Sequence, residues 1–208
     1  MQNTDAVAPD SLRFLALGDS YTIGTSVPYA ENFPSQVAAE MNKTKYKMQA
    51  PQIIARNGWT TGDLLDALKG ARLHPPYAIV TLLIGVNNQY QGLPADRYKK
   101  DFAELLHQAI GFAGGKAERV IVLSIPDYSV TPFAGGSDRG QIAAEINAYN
   151  LVNETQSRAA GAAYVNVTDI SRQAAKDPQL LAGDGLHPSA VMYRQWADIV
   201  TGQIFQHL

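Results

Sequence analysis

Short apolar runs alternate with segments of helical period about five times along this chain, and nothing else in the sequence restricts the fold as much. The apolar runs are rich in β-branched residues and bounded by turn residues, which predicts strands at Leu12–Leu17, Gln49–Ala55, Ala78–Ile84, Arg119–Ile125 and Ala163–Val167. The third and fourth, AIVTLLI and RVIVLSI, are apolar on both alternating faces, as strands covered on both sides must be. Between the runs, helices are predicted at Pro34–Met41, Thr61–Leu73, Pro94–Phe112, Arg139–Ala160 and Pro188–Phe205. Thr60 or Thr61 supplies a cap for the second, Gly114-Gly115 stops the third and Gly161 stops the fourth. In the last, Val191, Trp196, Ile199, Val200 and Ile204 are expected to face inward. Strand and helix in regular alternation predict an α/β domain: a three-layer α/β/α sandwich around a mainly parallel five-stranded sheet.

At 208 residues the chain suits one domain over 11–208, preceded by a polar, Ala/Pro-containing tail over 1–10 that is expected to be flexible. A net charge of −2 gives no footprint for nucleic acid or an anionic membrane. The absence of cysteine excludes disulfides, thiolate metal sites and a cysteine nucleophile. The longest strongly apolar run, Tyr77–Val86, is too short to span a bilayer as a helix. No signal peptide is visible at the start, so a soluble protein is expected, either cytoplasmic or exported with its signal removed. His74, His107 and His207 have no partners at metal-ligand spacing, and neither a metal nor a cofactor is expected.

Ligands of parallel α/β sheets sit beyond the carboxyl ends of the strands, so those ends carry the chemistry. In chain order they read Gly18-Asp19-Ser20-Tyr21, then Arg56-Asn57-Gly58-Trp59-Thr60-Thr61, then Gly85-Val86-Asn87-Asn88, with Asp184-Gly185-Leu186-His187-Pro188 near the C-terminus. Ser20 alone reads equally well as a helix N-cap, Asp184 alone as a turn residue. Together with His187 they form the constellation that ester hydrolysis requires. A serine hydroxyl attacks only if a base takes its proton, and a carboxylate on the far side of an imidazole fixes the tautomer that makes it that base. Asp184 precedes His187 by three residues, so one short loop can hold both.

These four blocks, in this order, resemble those of the SGNH (GDSL-type) hydrolase family of lipases and esterases, from Gly18 to Pro188. The resemblance implies a flavodoxin-like SGNH hydrolase fold and a serine esterase with Ser20 as nucleophile and Asp184 and His187 as its acid and base partners. It also implies an oxyanion hole made by the backbone N–H of Ser20, the backbone N–H of Gly58 and the side-chain amide of Asn87, with Gly62 a rival for the glycine's place. Tyr21 stands where the family's naming motif has leucine. Asn88 stands where the third block usually has aspartate, and its carbonyl can accept the same backbone hydrogen bond without charge. Asp19 is expected to brace the nucleophile loop through an Asx-type turn.

Tyr21, Trp59, Asn88, Tyr90, Tyr128 and Phe133 follow or flank the blocks and are candidates for the substrate pocket, with core packing the alternative for each aromatic ring. The irregular stretch Pro126–Gly140 follows a core strand and is expected to border that pocket. No large lid insertion is visible. The expected partner is therefore a small-molecule ester, a short acyl or acetyl ester or an acetylated sugar, and the oligomeric state is open. The alternatives are a non-catalytic small-molecule or carbohydrate-binding member of the fold, and a flavodoxin-like phosphate or flavin binder. The second is disfavoured because the charge of Asp19 repels phosphate and no Gly-rich run cradles one.

Overall fold

The computed structural model describes residues 11–207, so the expected tail over 1–10 lies outside the described residues. Five strands form one parallel sheet: β1 (Phe14–Gly18), β2 (Gln52–Ala55), β3 (Ile79–Leu83), β4 (Val120–Leu123) and β5 (Ala163–Val165), in the order β2-β1-β3-β4-β5. β1 and β3 pair over their full length, from Phe14 with Ile79 to Gly18 with Leu83. β1, β3 and β4 are buried at every position, which is why their sequences are apolar on both faces. β2 lies at an edge and is half-buried throughout. It begins later than expected, after Pro51, which has no N–H to offer a ladder.

Eight α-helices are described: α1 (Ser20–Ile23), α2 (Phe33–Met41), α3 (Thr61–Gly70), α4 (Val86–Tyr90), α5 (Ala95–Phe112), α6 (Arg139–Ala160), α7 (Thr168–Arg172) and α8 (Ala190–Ile204). α2 packs on α8, while α3 packs on α5 and α5 on α6, giving the three-layer α/β/α sandwich expected from the sequence. The caps follow from the residues at the helix ends. Asn32 accepts from the Ser35 N–H ahead of α2, and Asp138 from the Gln141 N–H ahead of α6. Thr60, rather than Thr61, caps α3, in a reciprocal box with Asp63.

The inward face of α8 differs from expectation. Met192, Trp196, Val200 and Ile204 are buried at i, i+4 spacing, with Tyr193 and Ala197 beside them. Val191 is 54% and Ile199 37% exposed. The helix starts after the Ser189 cap rather than at Pro188, and its large anchor Trp196 sets the phase, which leaves Val191 and Ile199 on the flank. The Trp196 ring packs against Phe33 and Tyr193, with centroids 6.2 and 5.2 Å away, and against Tyr21 at 6.4 Å. Burying one such ring contributes about 1.5–3 kcal/mol, and here it also seats α8 against Tyr21 in α1.

Candidate active site

β1 ends at Gly18, and the chain turns at once into α1. A Cβ on Gly18 would lie 2.1 Å from the Thr22 hydroxyl and 2.3 Å from the Leu83 carbonyl, so only glycine lets the turn close against β3. Asp19 caps α1, its Oδ1 accepting from the Tyr21 N–H at 3.0 Å, the Asx-type brace expected of it. Ser20 follows as the first residue of α1, where a backbone N–H has no intrahelical acceptor. The arrangement places the serine at the carboxyl edge of the central strands.

Asp19 is fully buried, and its Oδ2 finds no partner. Burial pushes its carboxyl up to about 7, against the opposing pull of the Tyr21 N–H. Between the ordinary carboxyl value near 4 and this raised value the folded state holds a proton that the unfolded state has released. Stability therefore falls as pH rises through that window, by at most about 1.4 kcal/mol per pH unit. Asp19→Asn removes the titration and keeps an acceptor for Tyr21. Thermal melts from pH 4 to 7 should show a flatter profile in this variant than in the wild type. Parallel profiles would assign the pH dependence elsewhere.

Asp184 and His187 share the loop 182–187, closed by the Ala182 N–H donating to the His187 carbonyl at 2.8 Å. Asp184 Oδ1 accepts from the N–H groups of Leu186 and His187, each at 2.9 Å. Its Oδ2 lies 2.6 Å from His187 Nδ1 and accepts from the Ser26 hydroxyl, also at 2.6 Å. Partial burial alone would raise this carboxyl; the hydrogen bonds from Ser26, His187 and the two backbone amides outweigh it and hold it well below the carboxylate range. Asp184 thus stays ionised in all but strong acid. The stability it contributes is complete above the unfolded value near pH 4 and is lost only as pH falls toward the lowered native value. Tyr21, 2% exposed, sets its ring 5.4 Å from that of His187, backing the imidazole against the core.

One cavity gathers these parts. Ser20 and His187 both line it, with Tyr21, Val86, Asn87, Tyr90, Tyr128, Phe133 and Leu186, around a free volume of about 90 Å³. Tyr90, Tyr128 and Phe133 form a triangle at its rim, with centroids 5.9–6.2 Å apart. Tyr128 and Phe133 come from the irregular stretch Pro126–Gly140, which borders the cavity as expected. An ion pair from the buried Asp127 to the half-buried Arg172 at 2.9 Å holds that stretch, as do bonds from Arg139 to the carbonyls of Ser129 and Thr131.

Asn87 sits in α4, and its Nδ2 donates one hydrogen to the Trp59 carbonyl at 2.9 Å. Gly58 occupies a turn at φ 79°, with open space where a Cβ would stand, so its glycine requirement is conformational. Gly62 lies inside α3 and faces Arg97, lining a separate cleft between α3 and α5.

Two of the expected pocket residues do not line the cavity. Asn88 is 1% exposed and is spent on α3: its Oδ1 accepts from the Thr61 N–H at 2.9 Å, and its Nδ2 donates to the Thr61 hydroxyl at 2.8 Å. It makes the uncharged backbone bond anticipated for it, and so pins α4 to the start of α3. Trp59 packs its ring on the core and offers the site only its carbonyl, to Asn87. Sequence reasoning missed Val86, Leu186 and Ser26. The first two lie inside the recognised blocks; Ser26 meets Asp184 across 158 residues of sequence, and no local pattern announces that contact.

A serine at the carboxyl edge of a parallel sheet lines one small cavity with the imidazole of an imidazole–carboxylate pair, an arrangement that suits an α/β/α hydrolase. The sequence pattern of the GDSL-like lipase/acylhydrolase family matches residues 16–195, and the chain belongs to that family. It is a carboxylic ester hydrolase. A search of curated proteins found no match. Among solved structures, a member of the lipolytic G-D-S-L family from Veillonella parvula is 17% identical, with 95% of this chain and 100% of that one covered and a TM-score of 0.69. An acetylxylan esterase from Geobacillus stearothermophilus is 17% identical over 93% and 94% of the chains, with a TM-score of 0.70. A lipase/acylhydrolase from Enterococcus faecalis is 20% identical over 95% and 97%, with a TM-score of 0.71. Among the described residues, no helix is long and apolar enough to cross a membrane.

Proposed function

We propose that this protein hydrolyses short-chain acyl or acetyl esters through an acyl intermediate on Ser20. His187 takes the serine proton and returns it to the leaving alcohol, and Asp184 orients and supports the imidazolium. The observation that carries this reading is the cavity shared by Ser20 and His187, with Asp184 Oδ2 2.6 Å behind the imidazole. The N–H of Ser20, the N–H of Gly58 and the amide of Asn87 stabilise the oxyanion. Gly58 is favoured over Gly62 because Gly62 faces another cleft. The acyl group enters the cavity beside Val86, Leu186 and Tyr21, and the cavity's free volume of about 90 Å³ suits a short acyl group. The exposed rings of Tyr90 and Phe133 leave the alcohol side open to a bulky group, including a sugar.

Two measurements test this. Across p-nitrophenyl esters of increasing chain length, kcat/KM should peak at acetyl or butyryl and fall steeply beyond. A fluorophosphonate should label one residue per chain, and peptide mass mapping should find it on Ser20. Labelling elsewhere, or binding of acetylated sugars without turnover of any ester, would favour the non-catalytic member of the fold instead.

A further inference from the structure

Ser26 is the one non-glycine residue with positive φ among the described residues, at 70°. An L-residue held there is strained, and glycine would relieve the strain. Ser26 is exposed, so packing does not explain why a serine is kept. Its hydroxyl donates to Asp184 Oδ2 at 2.6 Å, the same oxygen that faces His187 Nδ1. The neighbouring Thr25 hydroxyl donates to Asn57 Oδ1 at 2.6 Å, next to Gly58. Both residues follow α1 directly, and the N–H groups of Gly24 and Thr25 each bond to the carbonyl of Ser20 at 3.1 Å.

We propose that Ser26 is a positioning residue for the ester-hydrolysis site, fixing Asp184 to the backbone turn that carries the nucleophile, while Thr25 fixes the Asn57-Gly58 turn from the same segment. The proposal rests on the mechanism given above. Glycine would satisfy the backbone at position 26 but not the carboxylate, and the strain is retained because only the hydroxyl performs the second task. The two hydroxyls hold the acid loop and the glycine turn to one reference point, the residue that must attack.

Ser26→Gly and Ser26→Ala separate the hydroxyl from the backbone. Both should lower kcat about tenfold with KM changed less than about twofold, because alignment is lost rather than binding. Ser26→Gly should melt above Ser26→Ala, because both lose the hydroxyl and only glycine relieves the strain of positive φ, while the two lose kcat alike. Ser20→Ala, run alongside, should be inactive. A Ser26→Gly enzyme with wild-type kcat, beside an inactive Ser20→Ala, would overturn the positioning role alone. So would a loss of kcat that follows the melting temperatures of the two variants, or a rise in KM as large as the fall in kcat. Turnover surviving in Ser20→Ala would bring down the serine mechanism and the positioning role together.

Discussion

Ser20→Ala is expected to lower kcat by about 10⁴–10⁶-fold with little change in KM, and His187→Ala by a similar factor. Each substitution removes one half of a single event. Alanine at 20 leaves the imidazole with no proton to take; alanine at 187 leaves the hydroxyl with no base. The double variant should therefore be barely worse than either single one, far from the product of the two losses. What remains in all three is the contribution of the oxyanion donors and of substrate binding, roughly 10³-fold over water. Binding survives because the cavity walls, Val86, Leu186, Tyr21 and the rim rings, do not depend on either group. Burst kinetics and melting curves on the same preparations check this. A double variant that lost activity multiplicatively would mean that the two residues act separately and that the relay is wrongly drawn.

The second large effect is expected at Asp184→Asn, with kcat down by about 10³–10⁴-fold and the fold intact. The substitution is nearly isosteric, and an asparagine carbonyl still accepts from the Leu186 and His187 amides, so loop 182–187 keeps its shape. The change lies at the other atom. Asp184 Oδ2 accepts from His187 Nδ1; an amide nitrogen there donates instead. The imidazole then carries its proton on the ring nitrogen facing the serine, where a lone pair is needed. The hydroxyl of Ser26 rotates to accept from the new amide, so no buried group is stranded. Steady-state kinetics with circular dichroism separate this outcome from unfolding, and a fully active, folded Asp184→Asn would remove the carboxylate from the mechanism.

The layers of the fold were legible because burial leaves a period in the sequence. β3 and β4 read as continuous apolar runs since both faces are covered, and the end of α6 is readable from Gly161. Elements of four or five residues, such as α1, α4 and α7, complete too little of a helical period to be seen, yet α1 and α4 carry Ser20 and Asn87. The phase of α8 was misread at Val191 and Ile199 because apolar residues also occur on its flank, and only packing of Trp196 decides between the candidate faces. In the site, the blocks name the groups proposed to react but not what holds them. Trp59 and Asn88 lie within the blocks and read as walls, whereas one packs inward and the other bonds to Thr61. Adjacency in sequence fixes where a backbone goes, not which way a side chain turns.

The loop that carries Asp184 and His187 leans on the stretch that carries the rim aromatics: the Phe133 N–H donates to the Gly185 carbonyl at 3.3 Å, and the Gly185 Cα faces the Pro132 ring. Diversifying residues 131–136 therefore disturbs the loop of Asp184 and His187 as well as the rim of the cavity. Selectivity and speed are inherited through one shared joint here, and a laboratory lineage bred for a wider range of esters would have to re-seat that joint before it regained its pace.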